Sequence, residues 1–273
     1  MDILLNEQSL TVADGTTLFA LRERHRPAAD LLIHNGYPAA DDRPLADGDR
    51  VVLIQKGEVP SYEELEGLLA ARHTPGVHER LRRAVVGIAG AGGLGSTAAI
   101  ALARSGIGRL IIADFDVVEP SNLNRQQYFV DQIGQPKVEA LRENLLRINP
   151  YVEVTTFYGR LTPANVPTLF AAADVLVEAF DAADQKAMLV ESFLCARPGV
   201  PLVAASGMAG CGPANTVVTR RIGRSLYLIG DGETAARPGE GLMAPRVGVA
   251  AHHQANAVLQ LLLGEIPGQE QLS

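Results

Sequence analysis

The string "GIAGAGGLGSTAAIALARSG", which begins at Gly87, places glycines at 90, 92 and 95 in the order G-x-G-x-x-G. The apolar run "RRAVVGIAG" leads into these glycines, and a segment of helical character follows them. In a strand–turn–helix setting, Gly90 permits a tight turn and Gly92 lets the backbone approach a phosphate at the helix N-terminus. The string therefore predicts a nucleotide-binding α/β domain. It does not separate a dehydrogenase that holds NAD from an enzyme that cleaves ATP.

The segments downstream alternate between apolar strands and helices. The predicted strands are "RLIIADFD", "VEVTTF", "DVLVEAFD" and "PLVAASG", and the helices among them are "PKVEALRENLLRIN", "TPANVPTLFAAA" and "ADQKAMLVESFLCAR". "NTVVTRR" and "SLYLIGD" predict added β-structure before a final apolar helix, "APRVGVAAHHQANAVLQLLLG". This alternation predicts an α/β fold with a Rossmann-like, doubly wound, mostly parallel sheet.

A smaller unit precedes this domain. Residues 1–57 predict the order β-β-α-β-β, with Thr16 or Thr17 as helix N-cap and a tight turn at "NG", which fits a small β-grasp domain. Residues 58–80 predict a linker helix that begins near Ser61, with Glu64 completing a capping box. Residues 81–273 form the predicted nucleotide-binding domain.

Polar residues follow the second strand of that domain and separate the two nucleotide hypotheses. Asp114 ends the strand, where an acidic residue accepts from ribose hydroxyls in either case. "DFDVVEPSNLNRQQYF" then surrounds Arg125 with polar groups, and Lys137 begins the next helix. Taken alone, either Arg125 or Lys137 would be interpreted as a solvated surface charge. Together they suit the phosphates of ATP and the leaving pyrophosphate, for which a dehydrogenase has no need.

A further carboxylate, Asp181, follows the fourth strand in "FDAAD". Ligands bind beyond the carboxyl ends of parallel strands, and a carboxylate facing a triphosphate suits Mg²⁺. The alternative interpretation is an N-cap for the helix that follows.

"GAGGLGS", "DFDVVEPSNLNRQ", "GQPKVEA", "FDAAD" and "GLMAPRVGV" together resemble the ThiF/MoeB family, bacterial relatives of ubiquitin-activating enzymes, over residues 85–264. The resemblance implies that the C-terminal Gly-Gly carboxylate of a small carrier protein attacks the α-phosphate of ATP, giving an acyl-adenylate and pyrophosphate. It assigns Arg125, Lys137 and Asp181 as catalytic, the last as the Mg²⁺ ligand. The nucleotide-binding set that it implies is Gly90, Gly92, Gly93, Leu94, Gly95, Asp114, Asp116, Asn122, Arg125 and Lys137.

The N-terminal unit resembles ThiS, the sulfur carrier of the thiamine pathway, in "MDILLNEQ", "TTLFALRE" and "LADGDRVVLIQ". A carrier ends in a free Gly-Gly, whereas Gly57 is single and the chain continues past it. We therefore expect a degenerate carrier-like domain and, as substrate, a separate ThiS-like carrier for thiazole synthesis. The alternatives are a carrier of the molybdopterin or another sulfur pathway, a tRNA base as acceptor, and a non-catalytic nucleotide-binding regulator.

The two cysteines, Cys195 and Cys211, cannot build a Cys₄ zinc site, so no zinc is expected. Cys195 is expected in the core and Cys211 in a buried or semi-buried position. Where some ThiF proteins carry a persulfide-forming cysteine, this chain has Glu240. The resemblance also implies a homodimer in which an arginine of the neighbouring subunit reaches the phosphates, with Arg72 and Arg80 as candidates.

Charge and hydropathy limit the partners and the compartment. The net charge of −7 argues against nucleic acid as the main partner. The N-terminal stretch "MDILLNEQSL" lacks a basic region followed by a long apolar run, and no apolar run reaches the roughly 18–20 residues that a membrane helix needs, so neither a signal peptide nor a membrane helix is expected. Without a disulfide framework, the expected compartment is the cytoplasm.

Overall fold

Two sheets organise the chain, one in each of two compact units, Met1–His78 and Glu79–Ser273. The computed structural model describes residues 1–6, 8–57 and 76–268. The predicted helix from Ser61 falls in residues 58–75 and lies outside the described residues, as does Arg72. The three-part division at residues 57 and 80 stays a prediction.

The first unit contains β1 (Asp2–Leu5), β2 (Gln8–Thr11), α1 (Leu18–His25), β3 (Leu31–His34), β4 (Tyr37–Pro38) and β5 (Arg50–Ile54). The strand order is β2-β1-β5-β3-β4, with the parallel pair β1–β5 at the centre. The hydroxyl of Thr17 caps α1 by accepting from the N–H of Ala20 at 3.3 Å. Asn35 and Gly36 both have positive φ, as a two-residue hairpin turn between β3 and β4 requires. The predicted β-grasp fold is confirmed.

Helix α2 (Val77–Arg83) contains the boundary between the units at residues 78 and 79. The second unit continues with β6 (Val85–Ala89), α3 (Gly93–Arg104), β7 (Arg109–Asp114), α4 (Lys137–Ile148), β8 (Glu153–Tyr158) and α5 (Val166–Leu169). It ends with β9 (Val175–Glu178), α6 (Ala183–Ala196), β10 (Leu202–Ala205), β11 (Val218–Ile222), β12 (Leu226–Gly230) and α7 (Ala244–Leu262). The strand order is β11-β12-β10-β9-β6-β7-β8, and within this sheet only the edge strand β11 is antiparallel to its neighbour. This confirms the Rossmann-like, doubly wound fold.

Helices cover both faces of this sheet. On one face, Phe170, Leu189 and Phe193 pack with alternate residues of the strands. On the other face, α3 packs against α4 and α7. The buried residues of α3 include Ala98, Ala99 and Ala103, and small side chains of this kind let helices approach closely. The chain leaves β6 for β7 on one side and returns to β9 on the other, which opens a crevice at the carboxyl ends of β6 and β9.

One predicted helix is shorter than expected. "TPANVPTLFAAA" forms an α-helix only over Val166–Leu169. Thr162 and Asn165 exchange side-chain-to-backbone hydrogen bonds at 2.8 and 3.4 Å, which holds the preceding residues in a turn. Within the described residues, no helix is both long and apolar enough to cross a bilayer.

Candidate functional site

The glycine loop connects β6 to α3 at the crevice and is folded tightly against two neighbouring strands. The N–H of Gly90 donates to the carbonyl of Ala113 at 2.8 Å, and Gly90 has a φ of +100°. A Cβ at Gly90 would lie 2.8 Å from the carbonyl oxygen of Ala179, and one at Gly95 would clash with the carbonyl of Gly90. Glycine is therefore required sterically at both positions.

The N-terminus of α3 provides donors for an anion. Gly92 is the N-cap residue, and no side chain caps the helix there. The first backbone N–H groups of a helix have no partner inside it and carry partial positive charge. The predicted phosphate-binding residues Gly92, Gly93 and Leu94 lie at this helix end.

Asp114 ties the end of β7 to this loop. Its Oδ2 accepts from the N–H of Ala91 at 2.6 Å, and its Oδ1 accepts from the N–H of Asp116 at 2.8 Å. Burial raises the pKa of Asp114 above its usual value, although the two backbone hydrogen bonds and the charge of Lys137 act in the opposite direction. Each carboxylate oxygen keeps a second lone pair, so Asp114 can still accept from a ribose hydroxyl.

Lys137, the first residue of α4, is not a solvated surface charge. Its side chain is 7% exposed, and Nζ donates to Oδ2 of Asp116 at 2.8 Å. The N–H of Lys137 also donates to the carbonyl of Asp116 at 2.9 Å. Since Asp116 in turn donates to Asp114, a continuous set of hydrogen bonds links Lys137 to Ala91 in the glycine loop.

Arg125 lies against the start of α3. A Cβ built on Gly93 would be 3.4 Å from Cγ of Arg125. The guanidinium donates through Nη1 to the carbonyl of Ser121 at 3.3 Å and to Oδ1 of Asn124 at 2.8 Å. Both of these bonds use Nη1, and a guanidinium has five N–H donors, so Arg125 retains donors that can bind an anion.

Asn122 stabilises a local turn. It is buried, and its Oδ1 accepts from the N–H of Glu119 at 3.1 Å, which closes the 3₁₀ turn Pro120–Asn122. This turn brings the chain back so that Arg125 faces α3. The predicted contact of Asn122 with phosphate stays a prediction.

Asp181 is exposed in the loop between β9 and α6. The N-cap of α6 is Ala182, so the interpretation of Asp181 as the helix cap is wrong. The same loop carries Ala179, whose carbonyl touches Gly90, and this places Asp181 at the carboxyl end of the strand next to β6. Within the described part of the chain, no group of three or more His, Cys, Asp or Glu side chains could hold a metal ion.

The expected environments of the two cysteines are wrong. Cys195 and Cys211 are both exposed. On α6 the core contacts come from Leu189 and Phe193, four residues apart, and Cys195 lies two residues further, on the opposite side of the helix. Arg80, one of the two arginines considered for the partner's phosphates, donates to the carbonyl of Leu263 at 3.1 Å.

Sequence reasoning missed two buried ion pairs near the ends of the strands. Glu178, at the end of β9, is fully buried, and Lys186 donates to both of its carboxylate oxygens at 2.9 and 3.0 Å. Arg246, also buried, donates to Oδ2 of Asp231 at 2.6 Å. The only signal for the first pair was a glutamate in the otherwise apolar strand "VLVE".

Comparison with known families identifies the family of this chain. The ThiF family model matches residues 67–273, which is more than half of the chain. The chain belongs to the ThiF family. A second model, described as ThiS-like ubiquitin, matches residues 1–57, so this ThiF-family protein carries a fused N-terminal ThiS-like domain.

Curated relatives of the ThiF-family chain have several substrates. This chain is 37% identical over 191 residues to the molybdopterin-synthase adenylyltransferase of Escherichia coli K12, and the alignment covers 68% of this chain and 76% of that protein. It is 33% identical over 189 residues to the adenylyltransferase and sulfurtransferase UBA4 of Yarrowia lipolytica, covering 67% of this chain and 47% of that protein. This chain is also 35% identical over 133 residues to the tRNA threonylcarbamoyladenosine dehydratase of Bacillus subtilis, and the alignment covers 48% of this chain and 52% of that protein.

A solved structure confirms the fold of this ThiF-family chain. The E. coli tRNA threonylcarbamoyladenosine dehydratase in complex with ATP aligns with a TM-score of 0.65 at 24% identity, covering 76% of this chain and 97% of that one. Together, the family and its relatives support a nucleotide-binding protein of the adenylyltransferase type that acts with a sulfur carrier. They do not single out the thiamine pathway.

Proposed function

We propose that this chain is an ATP-dependent adenylyltransferase that activates the C-terminal glycine carboxylate of a separate ThiS-like sulfur carrier for thiazole synthesis. The observation that carries the proposal is the position of two cations relative to the glycine loop. Arg125 packs on Gly93, and the buried Lys137 is linked through Asp116 and Asp114 to Ala91. One cation packed at the helix N-terminus and a second connected to the glycine loop suit a triphosphate better than the single pyrophosphate of NAD.

In the proposed reaction, a carboxylate oxygen of the carrier attacks the α-phosphorus of ATP. The bond from this phosphorus to the bridging oxygen breaks, and pyrophosphate leaves with the electron pair. The attacking carboxylate is ionised at neutral pH, so the step needs no general base. Arg125 and Lys137 stabilise the negative charge that develops as pyrophosphate departs.

Asp181 is the residue proposed to hold Mg²⁺. Magnesium sites on nucleotides use one or two carboxylates together with phosphate oxygens and water, and a single exposed carboxylate beside the loop fits this donor set. When bound, the ion supplies charge neutralisation for the phosphates.

The fused ThiS-like domain supports the thiamine assignment without being the substrate. Its last glycine, Gly57, is followed by Glu58 in the same chain, so its carboxyl group is in a peptide bond. A second candidate function is the activation of a molybdopterin-pathway carrier, which the relative in E. coli favours. The homodimer is a further part of the proposal, and light scattering of the purified chain tests it.

The test is ATP–pyrophosphate exchange with purified carriers. The full chain is combined with a ThiS-like carrier ending in Gly-Gly, with a molybdopterin-type carrier, and with each carrier lacking its last glycine. We expect exchange with the intact ThiS-like carrier and background exchange with the truncated carriers. Exchange with the molybdopterin-type carrier alone would establish the second candidate. Background exchange with every Gly-Gly carrier would contradict the proposed activity.

A further inference from the structure

Gln126 follows Arg125 and carries a buried side-chain amide at the glycine loop. The residue is 8% exposed. Its Nε2 is the nearest non-neighbouring atom to a Cβ built on Gly92, at 3.9 Å. Its Oε1 is buried without a hydrogen-bond partner in the part of the chain that the structure describes. The amide therefore faces the N-cap residue of α3 with part of its hydrogen-bonding capacity unused.

The backbone around Gln126 is fixed to the glycine loop. The N–H of Gln126 donates to the carbonyl of Asn122 at 2.9 Å. The N–H of Gln127 donates to the hydroxyl of Ser96 at 3.2 Å, and the hydroxyl of Tyr128 donates to the carbonyl of Ala91 at 2.6 Å. Among the described residues the side-chain amide of Gln126 has no hydrogen-bond partner, so the contacts of its neighbours hold it beside Gly92.

Native proteins rarely leave buried polar atoms without a partner, and the exceptions need an explanation. The orphaned Oε1 is an acceptor, which phosphate oxygens cannot satisfy, so the group of this amide that can meet an anion is the Nε2 donor beside Gly92. The uncompensated burial of Oε1 is a cost to the unliganded protein that an apolar side chain of the same size would not carry. Gly92 is the N-cap of α3, where an anion would bind.

We propose that Gln126 contacts the ligand, donating a hydrogen bond from its side-chain amide to the nucleotide phosphate seated against Gly92. This inference rests on the proposed nucleotide chemistry. Gln126 adds a neutral donor beside the cation of Arg125, so it shapes the phosphate position without adding charge. In the unliganded protein the same amide is a source of instability.

A ligand-binding role and a purely structural role predict different effects on stability and on ligand affinity when the side chain of Gln126 is removed. A glutamine that only supports the fold lowers stability when it is removed, and it lowers affinity only as far as the site is distorted. A glutamine kept for the ligand lowers affinity when it is removed and leaves the unliganded protein at least as stable as before. A single set of variants measures both quantities.

The experiment uses the full chain with Gln126→Met, which keeps the size but removes the amide, and Gln126→Glu, which replaces the donor with an anion. Gln127→Met is the matched control, because the Nε2 of Gln127 donates to the hydroxyl of Thr97 and not to the loop. Calorimetry measures binding of ATP, AMP and adenosine to each protein. Urea unfolding without ligand measures stability.

We expect Gln126→Met to weaken ATP and AMP roughly tenfold and Gln126→Glu to weaken them more than about 100-fold. Adenosine, which lacks phosphate, binds all variants within about twofold of the wild type, and Gln127→Met leaves ATP affinity unchanged. The unfolding midpoint of unliganded Gln126→Met equals or exceeds that of the wild type.

Three results overturn this inference alone: unchanged ATP affinity in both Gln126 variants, an equal loss for adenosine and ATP, or a lowered midpoint in unliganded Gln126→Met. A wild-type chain that binds neither ATP nor AMP instead overturns the proposed function, and this inference with it.

Discussion

Asp114 accepts a hydrogen bond from the backbone N–H of Ala91 at 2.6 Å, across the junction between the second strand of the doubly wound sheet and the glycine loop. The residue predicted to hold the ribose therefore also sets the shape of the loop predicted to hold the phosphates. Through Asp116 the same carboxylate is connected to Lys137. A change at Asp114 therefore affects both the glycine loop and the position of Lys137.

The first prediction is that Asp114→Asn lowers both stability and ATP affinity. An asparagine has one acceptor oxygen, so its NH₂ group would face the N–H of Ala91 or of Asp116. We expect a loss of about 1–3 kcal/mol in the free energy of unfolding, measured in urea. We also expect at least a tenfold loss of ATP affinity, measured by calorimetry.

The matched control for this variant is Asp174→Asn. Asp174 accepts from the N–H of Val85 at 2.8 Å, at the amino end of β6 and remote from the loop. It should lose stability but keep wild-type ATP affinity. Equal affinity losses in the two variants would show that the Asp114 effect is a general consequence of instability.

The second prediction is that Lys137→Ala reduces the rate of carrier-dependent pyrophosphate exchange by about 10²–10³ and weakens ATP binding less than tenfold. A preorganised cation acts most strongly on charge that develops in the transition state, which separates rate from affinity. Arg142→Ala, on the exposed side of the same helix, is the control and should change neither quantity. If the rate and the affinity fall by the same factor, Lys137 binds the ground state only.

Most of the fold followed from local patterns. The alternation of buried strands and helices predicts the doubly wound sheet, and the Asn35–Gly36 turn fixes the β3–β4 hairpin. The α5 region was predicted too long, because local bonds between Thr162 and Asn165 compete with helix formation. Such competition between side chain and backbone leaves little trace in hydrophobic periodicity.

The site was predictable as a set of residues but not as a set of contacts. Spacing after the glycine loop identifies Arg125 and Lys137 as the cations, but it gives no sign that Lys137 is buried against Asp116. The buried, unpartnered Oε1 of Gln126 likewise cannot be inferred from the sequence, because it depends on how residues 126–128 fold back onto the loop. Long-range packing decides both features.

The third prediction concerns the cysteines. Because Cys195 and Cys211 are both exposed, the native protein should take up two equivalents of a maleimide reagent at neutral pH, detected by intact-mass spectrometry. Cys195→Ser and Cys211→Ser should each lose one equivalent. Labelling only after denaturation would contradict the exposed positions.

The fourth prediction concerns the buried pair Glu178–Lys186, in which Lys186 also donates to the carbonyl of Ala205 at 3.0 Å. Removing one partner of a buried ion pair leaves an uncompensated charge, so Lys186→Met should lower the free energy of unfolding by about 3–5 kcal/mol at neutral pH. The double variant Glu178→Gln with Lys186→Met removes both charges and should recover a large part of this loss. Urea unfolding of the three proteins measures both effects.

The pH dependence of this loss separates charge from packing. Burial raises the pKa of Glu178, whereas the charge and hydrogen bonds of Lys186 lower it, so Lys186→Met should raise this pKa further. A carboxyl group whose pKa is higher in the folded than in the unfolded state favours folding when protonated. That contribution is fully present below the unfolded pKa and is lost as pH rises through the folded pKa.

The destabilisation of Lys186→Met relative to the wild type should therefore be smaller near pH 5 than near pH 8, and the double variant should lose this pH dependence. A loss that is the same at both pH values would instead assign the effect of Lys186 to packing of its side chain.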